Sequence, residues 1–322
     1  MIRRMIVVAV VCFSTAILTI QSALAKNAKP NFVFFLVDDF GWGSISAMGH
    51  EFVETPNIDQ LAKSGMQFTN GYAACTVCSP SRAAILTGAY PGRIKLTDWI
   101  PGHHKKVGKL QVPDWQMFMD YERILLPEAL KENGYRTAFI GKWHLMPRGD
   151  KERFEEHYPG NHGFDINIGG RGWGQPKGKG KYFHPFGMPN VSSKEGDYLT
   201  DRLTDYAVEE VEKNRENPFL VYFSYYTVHS PIQGKPELVK KYTEKKSGNP
   251  EKFKRYNPVM PPWYKAWMKV WPESLPSLRK PVCGITPISF SPVTMVPIQT
   301  CTTVDSKGER LKDMRAVHAK FI

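Results

Sequence analysis

Asn31-Phe-Val-Phe-Phe-Leu-Val37 is an unbroken apolar run rich in β-formers, which predicts a strand buried on both faces of a parallel sheet. Met66 to Tyr72, Tyr135 to Ile140 and Phe219 to Tyr225 predict three more strands. Helical signals fall between them. Thr55 stands where an N-cap belongs, Pro56 follows at the first position, and Gly65 ends the segment. Ser79 to Gly88 repeats that plan with Pro80 early and glycine last, and Ile124 to Asn133 runs up to Gly134. From Tyr198 to Arg215 the apolar positions Leu199, Leu203, Tyr206, Ala207 and Val211 follow a helical period. Strands alternating with helices indicate an α/β fold with a largely parallel central sheet flanked by helices. Ligands of such sheets gather beyond the carboxyl ends of the strands. The sequence puts Asp38-Asp39 after the first strand, Lys142 and His144 after the third, and His229 after the fourth.

The beginning of the chain follows another pattern. Met1-Ile-Arg-Arg-Met is basic, Ile6 to Ile20 is apolar and uncharged, and Ala23-Leu24-Ala25 is a small-x-small cleavage site. That order predicts a signal peptide over 1–25 and an exported protein, periplasmic or extracellular, with no membrane span after cleavage. Of 322 residues 42% are hydrophobic and 23% charged, enough for a sizeable core, which excludes wholesale disorder and a disulfide-knot scaffold. The net charge of +12 suggests nucleic acid until it is divided. Residues 259–322 carry nine lysines and arginines against four acids, whereas over 26–258 the signs are interspersed, so nucleic acid is not an expected partner. Among five cysteines, Cys12 leaves with the signal and Cys283 and Cys301 lie in the tail. Cys75 and Cys78 remain as a C-x-x-C pair with no second ligand pair at zinc spacing.

The candidate chemistry sits in short clusters. Asp38 and Asp39 repel one another unless a cation lies between them, and a hard divalent ion with oxygen ligands would serve; a solvated turn is the other reading. Cys78-Ser-Pro-Ser-Arg82 lies where a loop becomes a helix, a position that attracts anions and also favours a thiolate. Arg82 offers a planar cation for sulfate or phosphate. Lys142 and His144 add a cation and a titratable donor, and His229 offers a second imidazole. The run Lys177-Gly-Lys-Gly-Lys181 reads as a solvated loop.

Taken together these residues resemble the sulfatase family over about Lys29 to Pro258. The signature C-x-P-S-R stands at Cys78 to Arg82, continued by Leu86-Thr-Gly88. Leu36-Val-Asp-Asp-Phe-Gly-Trp-Gly43, Glu54-Thr-Pro-Asn-Ile-Asp59, Gly65-Met-Gln-Phe-Thr-Asn70, Tyr90-Pro-Gly-Arg93, Gly141-Lys-Trp-His144 and His229-Ser-Pro231 match in order. The resemblance implies an alkaline-phosphatase-like sandwich, incomplete at the C-terminus, and hydrolysis of sulfate esters of small molecules or carbohydrates. It implies that a formylglycine-generating enzyme converts Cys78 to formylglycine, the nucleophile. Asp38, Asp39 and the modified residue 78 would bind Ca²⁺, Arg82 would stabilise the hydrate, Lys142 and His229 would bind sulfate, and His144 would orient formylglycine. A phosphatase or phosphodiesterase of the same superfamily, and a catalytically dead anion-binding remnant, are the competing readings.

The family pattern stops at the tail. No Asp-Asn-Gly segment follows His229, and residues 259–322 hold eight prolines and no strand–helix pattern. Read from the third base of each codon, Val259 to Trp271 can encode Tyr-Ala-Ala-Met-Val-Gln-Gly-Met-Asp-Glu-Ser-Val, with the first Ala, the Val, the Asp and the Glu forced. In the same frame Gly284 to Val296 can end in Ser-Asp-Asn-Gly. The expected organisation is a signal peptide over 1–25, a catalytic portion over 26–258 and a frameshifted tail over 259–322.

Overall fold

A computed structural model describes residues 29–68, 70–102, 112–148, 152–188, 190–259 and 295–297. The predicted signal peptide and nearly all of the tail lie outside the described residues. Five parallel strands form one sheet in the order β3-β2-β4-β1-β5. They are β1 (Phe32–Val37), β2 (Arg136–Gly141), β3 (Ile166–Ile168), β4 (Phe219–Ser224) and β5 (Met295–Pro297). Every residue of the central β4 is buried, which explains why its sequence is a continuous apolar run and not an alternation.

Alternate side chains along each strand feed two cores. On one face Phe35, Val37, Ala138, Ile140, Val221 and Phe223 pack against α1 (Pro56–Ser64) and α4 (Leu199–Lys213). The helical period read over 198–215 is this contact: Leu199, Leu203, Ala207 and Val211 all lie in that core. On the other face Leu36, Phe139, Leu220 and Tyr222 meet Ala83 and Leu86 of α2 (Cys78–Thr87). Leu125, just ahead of α3 (Leu126–Glu132), joins them. Residues 236–248 form α5 (Pro236–Gly248), whose Tyr242 packs at a tilt against Phe52.

The strand expected over 66–72 does not form. Residues 66–68 and 70–72 are irregular, with Met66, Phe68 and Tyr72 exposed. A strand requires hydrogen-bonding neighbours, and no β-ladder among the described residues includes this segment. Thr55 precedes α1 as expected, but its hydroxyl donates to the Asp59 carboxylate at 2.9 Å and caps no backbone N–H of the helix. The tail, expected to lack strands, supplies β5, whose Met295 stands opposite Phe35 of β1.

Hydrogen bonding continues past the strand ends and draws the following loops together. Asp38 N–H donates to Thr227 O at 2.9 Å, Val228 N–H to Asp38 O at 2.6 Å, and Lys142 N–H to Ser224 O at 2.8 Å. Gly141 makes the last contact possible: its φ is 102°, and a Cβ there would stand 1.9 Å from Ser224 O. Three polar loops therefore meet over the carboxyl edge of the sheet.

Candidate active site

The centre of the cluster is Asp38, fully buried at the end of β1. Its Oδ1 accepts from Arg82 Nη2 at 3.0 Å, and its Oδ2 accepts from the Lys142 ammonium. Both cations are equally inaccessible to solvent. Burial pushes the Asp38 carboxyl up, and the charges of Lys142 and Arg82 outweigh it, holding the group well below the usual carboxylate range. Arg82 comes from the second turn of α2. Its Nη1 donates to Lys142 O at 2.7 Å and also bonds Ser224 Oγ, which in turn donates to Lys142 O at 2.8 Å. Its Nε is buried without a protein partner among the described residues, so a donor is left over beside the site.

Asp39 is in the opposite condition. Burial and repulsion from Asp38 push its carboxyl up to about 7. Its backbone is left-handed at φ 58°, as is that of His144 at φ 56°, conformations that non-glycine residues adopt chiefly where the surroundings impose them. His229 Nε2 lies 3.9 Å from Asp39 Oδ2. Ligand atoms of Asp38, Asp39 and His229 fall within 4.8 Å of one another.

Cys78 opens α2 and is buried. Its Sγ lies 3.2 Å from His144 Nδ1, and His144 Nε2 lies 2.6 Å from Ile100 O. A carbonyl only accepts, so the ring proton is on Nε2 and the Nδ1 lone pair faces residue 78. Burial, reinforced by the Lys142 charge, holds His144 well below its ordinary range and keeps the ring neutral. Burial likewise pushes the Cys78 thiol up, against the pull of Lys142, so the residue is a protonated thiol and not the thiolate nucleophile that its helix terminus allowed. Cys75 and Cys78 are both free.

All seven sequence-selected residues thus converge. Asp38, Arg82 and Lys142 form one ionic knot, Cys78 and His144 one hydrogen-bonded pair, and Asp39 and His229 a half-buried margin. His229, expected beside sulfate, also completes the three-residue group with the two carboxylates. Cys78 is outside that group. Sequence reasoning missed Ser224, the Ile100 carbonyl and Tyr182, whose hydroxyl donates to Tyr226 O at 2.7 Å and His229 O at 3.0 Å. Ser224 alone left a signal, as the polar end of an apolar strand.

The family model described as Sulfatase matches residues 30–279. The chain belongs to the sulfatase family. An arylsulfatase of Hemicentrotus pulcherrimus is 31% identical over 224 residues, 65% of this sulfatase chain and 39% of the relative. Human N-acetylgalactosamine-6-sulfatase is 32% identical over 232 residues, 66% of this chain and 42% of that protein. The chain therefore spans about two fifths of the length of these curated relatives. The solved structure of BT4656 in complex with its substrate D-glucosamine-2-N,6-O-disulfate superposes with TM-score 0.51 at 26% identity, over 67% of this chain and 38% of that one. The parallel sheet with flanking helices is the alkaline-phosphatase-like fold of sulfatase structures. Among the described residues no helix is long and apolar enough to cross a membrane.

Proposed function

We propose that this sulfatase is built to hydrolyse sulfate esters, with sulfated carbohydrates as the favoured substrate class. The observation that carries the reading is the buried knot of Asp38, Arg82 and Lys142 beside a neutral His144 aimed at Cys78. An anion brought there meets two desolvated cations and the unpartnered Arg82 Nε, where electrostatic stabilisation is strong because water is excluded. The sulfated hexosamine bound by BT4656 and the name of the human relative support a carbohydrate substrate.

The donor set fits half of a Ca²⁺ site. Asp38 and Asp39 supply carboxylate oxygens, and a cation there would relieve the repulsion that raises Asp39. A hard divalent ion takes about six to eight ligands, and no other carboxylate joins these two among the described residues. When bound, formylglycine derived from Cys78 and Ca²⁺ supply an activated hydroxyl nucleophile and a divalent charge. Around them His144 Nδ1 takes a hydrogen bond or proton from residue 78, while its Nε2–H stays on Ile100. Arg82 would stabilise the hydrate of residue 78, Lys142 would bind the sulfate group together with His229, and Ser224 fixes the Arg82 guanidinium. His229, at the half-buried margin, contacts the outer sulfate oxygens.

The reading frame shifts near Pro258 in this proposal, so the remaining metal ligands lie in the other frame. The short chain then turns over little substrate, which is the anion-binding remnant, and the frame-corrected chain turns over readily. The leading Met1 to Ala25 directs export. One experiment addresses the chemistry: co-expression with a formylglycine-generating enzyme, mass spectrometry of the Cys78 peptide, and assay of an aryl sulfate and a hexosamine sulfate. Loss of sulfur to an aldehyde is expected; an unmodified thiol overturns the reading. An uninterrupted frame in the locus overturns the frameshift.

A further inference from the structure

The Gly/Lys run expected to be a solvated loop has a defined shape and a defined place. Its two ends are fixed on the site. Gly174 lies against the His144 ring, where a Cβ would stand 2.6 Å from Cε1 and 3.0 Å from Nε2. Tyr182, fully buried, holds the carbonyl of His229. Residues 175–181 therefore run from the His144 side of the anion cradle to its His229 side. Between these anchors the glycines are held closely. Gly178 has φ 85° and stacks on Gly187, and a Cβ on Gly180 would stand 2.0 Å from Phe183 O. Lys181 is itself left-handed at φ 58°. A turn so tightly packed loses little entropy on binding, because its backbone is already ordered.

Lys177 and Lys181 are half-buried and Lys179 is exposed. No carboxylate lies within ion-pair distance of any of the three among the described residues, whereas Lys131, Lys213, Lys235, Lys241 and Lys245 each pair with an acid. Three like charges within five residues, unneutralised, repel one another and gain from an anion that bridges them. The scissile sulfate is already provided for by Lys142 and His229 in the reading above.

We propose that Lys177, Lys179 and Lys181 form a second anion subsite, so that the preferred substrate carries another acidic group, sulfate or carboxylate, on the same or the adjoining sugar. The inference rests on the sulfate-ester reading above and specifies its substrate class.

Calorimetric titration of the full chain, at fixed ionic strength with Ca²⁺, compares N-acetylglucosamine 6-sulfate with glucosamine 2-N,6-O-disulfate. The disulfated sugar binds about tenfold more tightly, the sum of a few modest exposed charge contacts. In the variant carrying Lys177→Gln, Lys179→Gln and Lys181→Gln the ratio of the two affinities falls toward one. Lys179→Gln alone, at the exposed position, lowers it part of the way, and Lys179→Arg restores it. Equal losses for both sugars overturn the subsite in favour of general electrostatic attraction. An unchanged ratio in the triple variant overturns it too. If the parent binds neither sugar, the sulfate-ester reading fails and takes the subsite with it; if the parent binds both equally, the subsite alone fails.

Discussion

Replacing Asp38 by asparagine keeps the shape of the side chain and removes the one negative charge shared by two buried cations. Arg82 Nη2 and the Lys142 ammonium are each on one Asp38 oxygen, and the three side chains are 0–2% exposed. In the variant the amide presents one acceptor and one N–H₂ donor, so a cation faces a donor with no water to compensate. Breaking a buried ion pair on one side costs about 3–5 kcal/mol. For a domain of this size that lowers Tm by roughly 6–20 °C. The assay is thermal or urea unfolding of parent and Asp38→Asn, both in excess chelator, so that loss of a bound cation contributes to neither. A difference under about 1 kcal/mol would show that the knot is solvated or rearranged, and the electrostatic account of the site would fail. Asp39→Asn is the internal control with the opposite sign. That carboxyl is pushed up by burial and by Asp38, so neutralising it stabilises the metal-free chain above pH 7.

Three further outcomes are expected. His162 is buried between Tyr121 and Trp143, and its imidazole is pushed down to about 4 by burial and by His157. The unfolded chain takes up that proton first as pH falls, so the stability this histidine allows at neutral pH is lost between about 6.5 and 4. His162→Phe keeps the stacking, removes the unpartnered Nε2 and flattens the acid limb in melts at pH 7 and pH 5; identical limbs would contradict this. Gly174→Ala drives a methyl into the His144 ring and costs about 1–3 kcal/mol, whereas on a His144→Ala background the same change costs little, as a double-mutant cycle by urea unfolding reads out. Cys78 alkylates far more slowly than the partly exposed Cys75 in the native chain at pH 8, and the two rates converge in urea; comparable native rates, followed by mass spectrometry, would refute the buried-thiol assignment.

Much of this was legible from residue order because it depends on local chemistry. Apolar runs gave β1, β2 and β4 nearly to their ends, since strands buried on both faces have no alternation to misread. Pro56, Pro80 and Gly88 marked helix ends because proline and glycine act through their own backbone. The ordered motifs named the seven site residues. The run at 66–72 failed for a complementary reason: its composition suits a strand, but a strand also needs a partner, which no residue carries within itself. Lys177 to Lys181 is the loop that its composition suggests, with Lys179 exposed, but lysine-rich composition says nothing about glycines locked against a neighbouring turn.

The sequence by itself determined the α/β class, the family and seven polar side chains that the fold brings together at the carboxyl edge of the sheet. Only the tertiary structure decided their states: that Asp38 stays ionised while Asp39 is raised, that His144 is neutral with its free lone pair on residue 78, and that Cys78 keeps its proton. Those properties arise from desolvation and from charges brought together across more than a hundred residues of chain, as with Asp38 and Lys142. Burial and distance between remote segments are set by the packing of the whole sheet, and no short stretch of sequence encodes them.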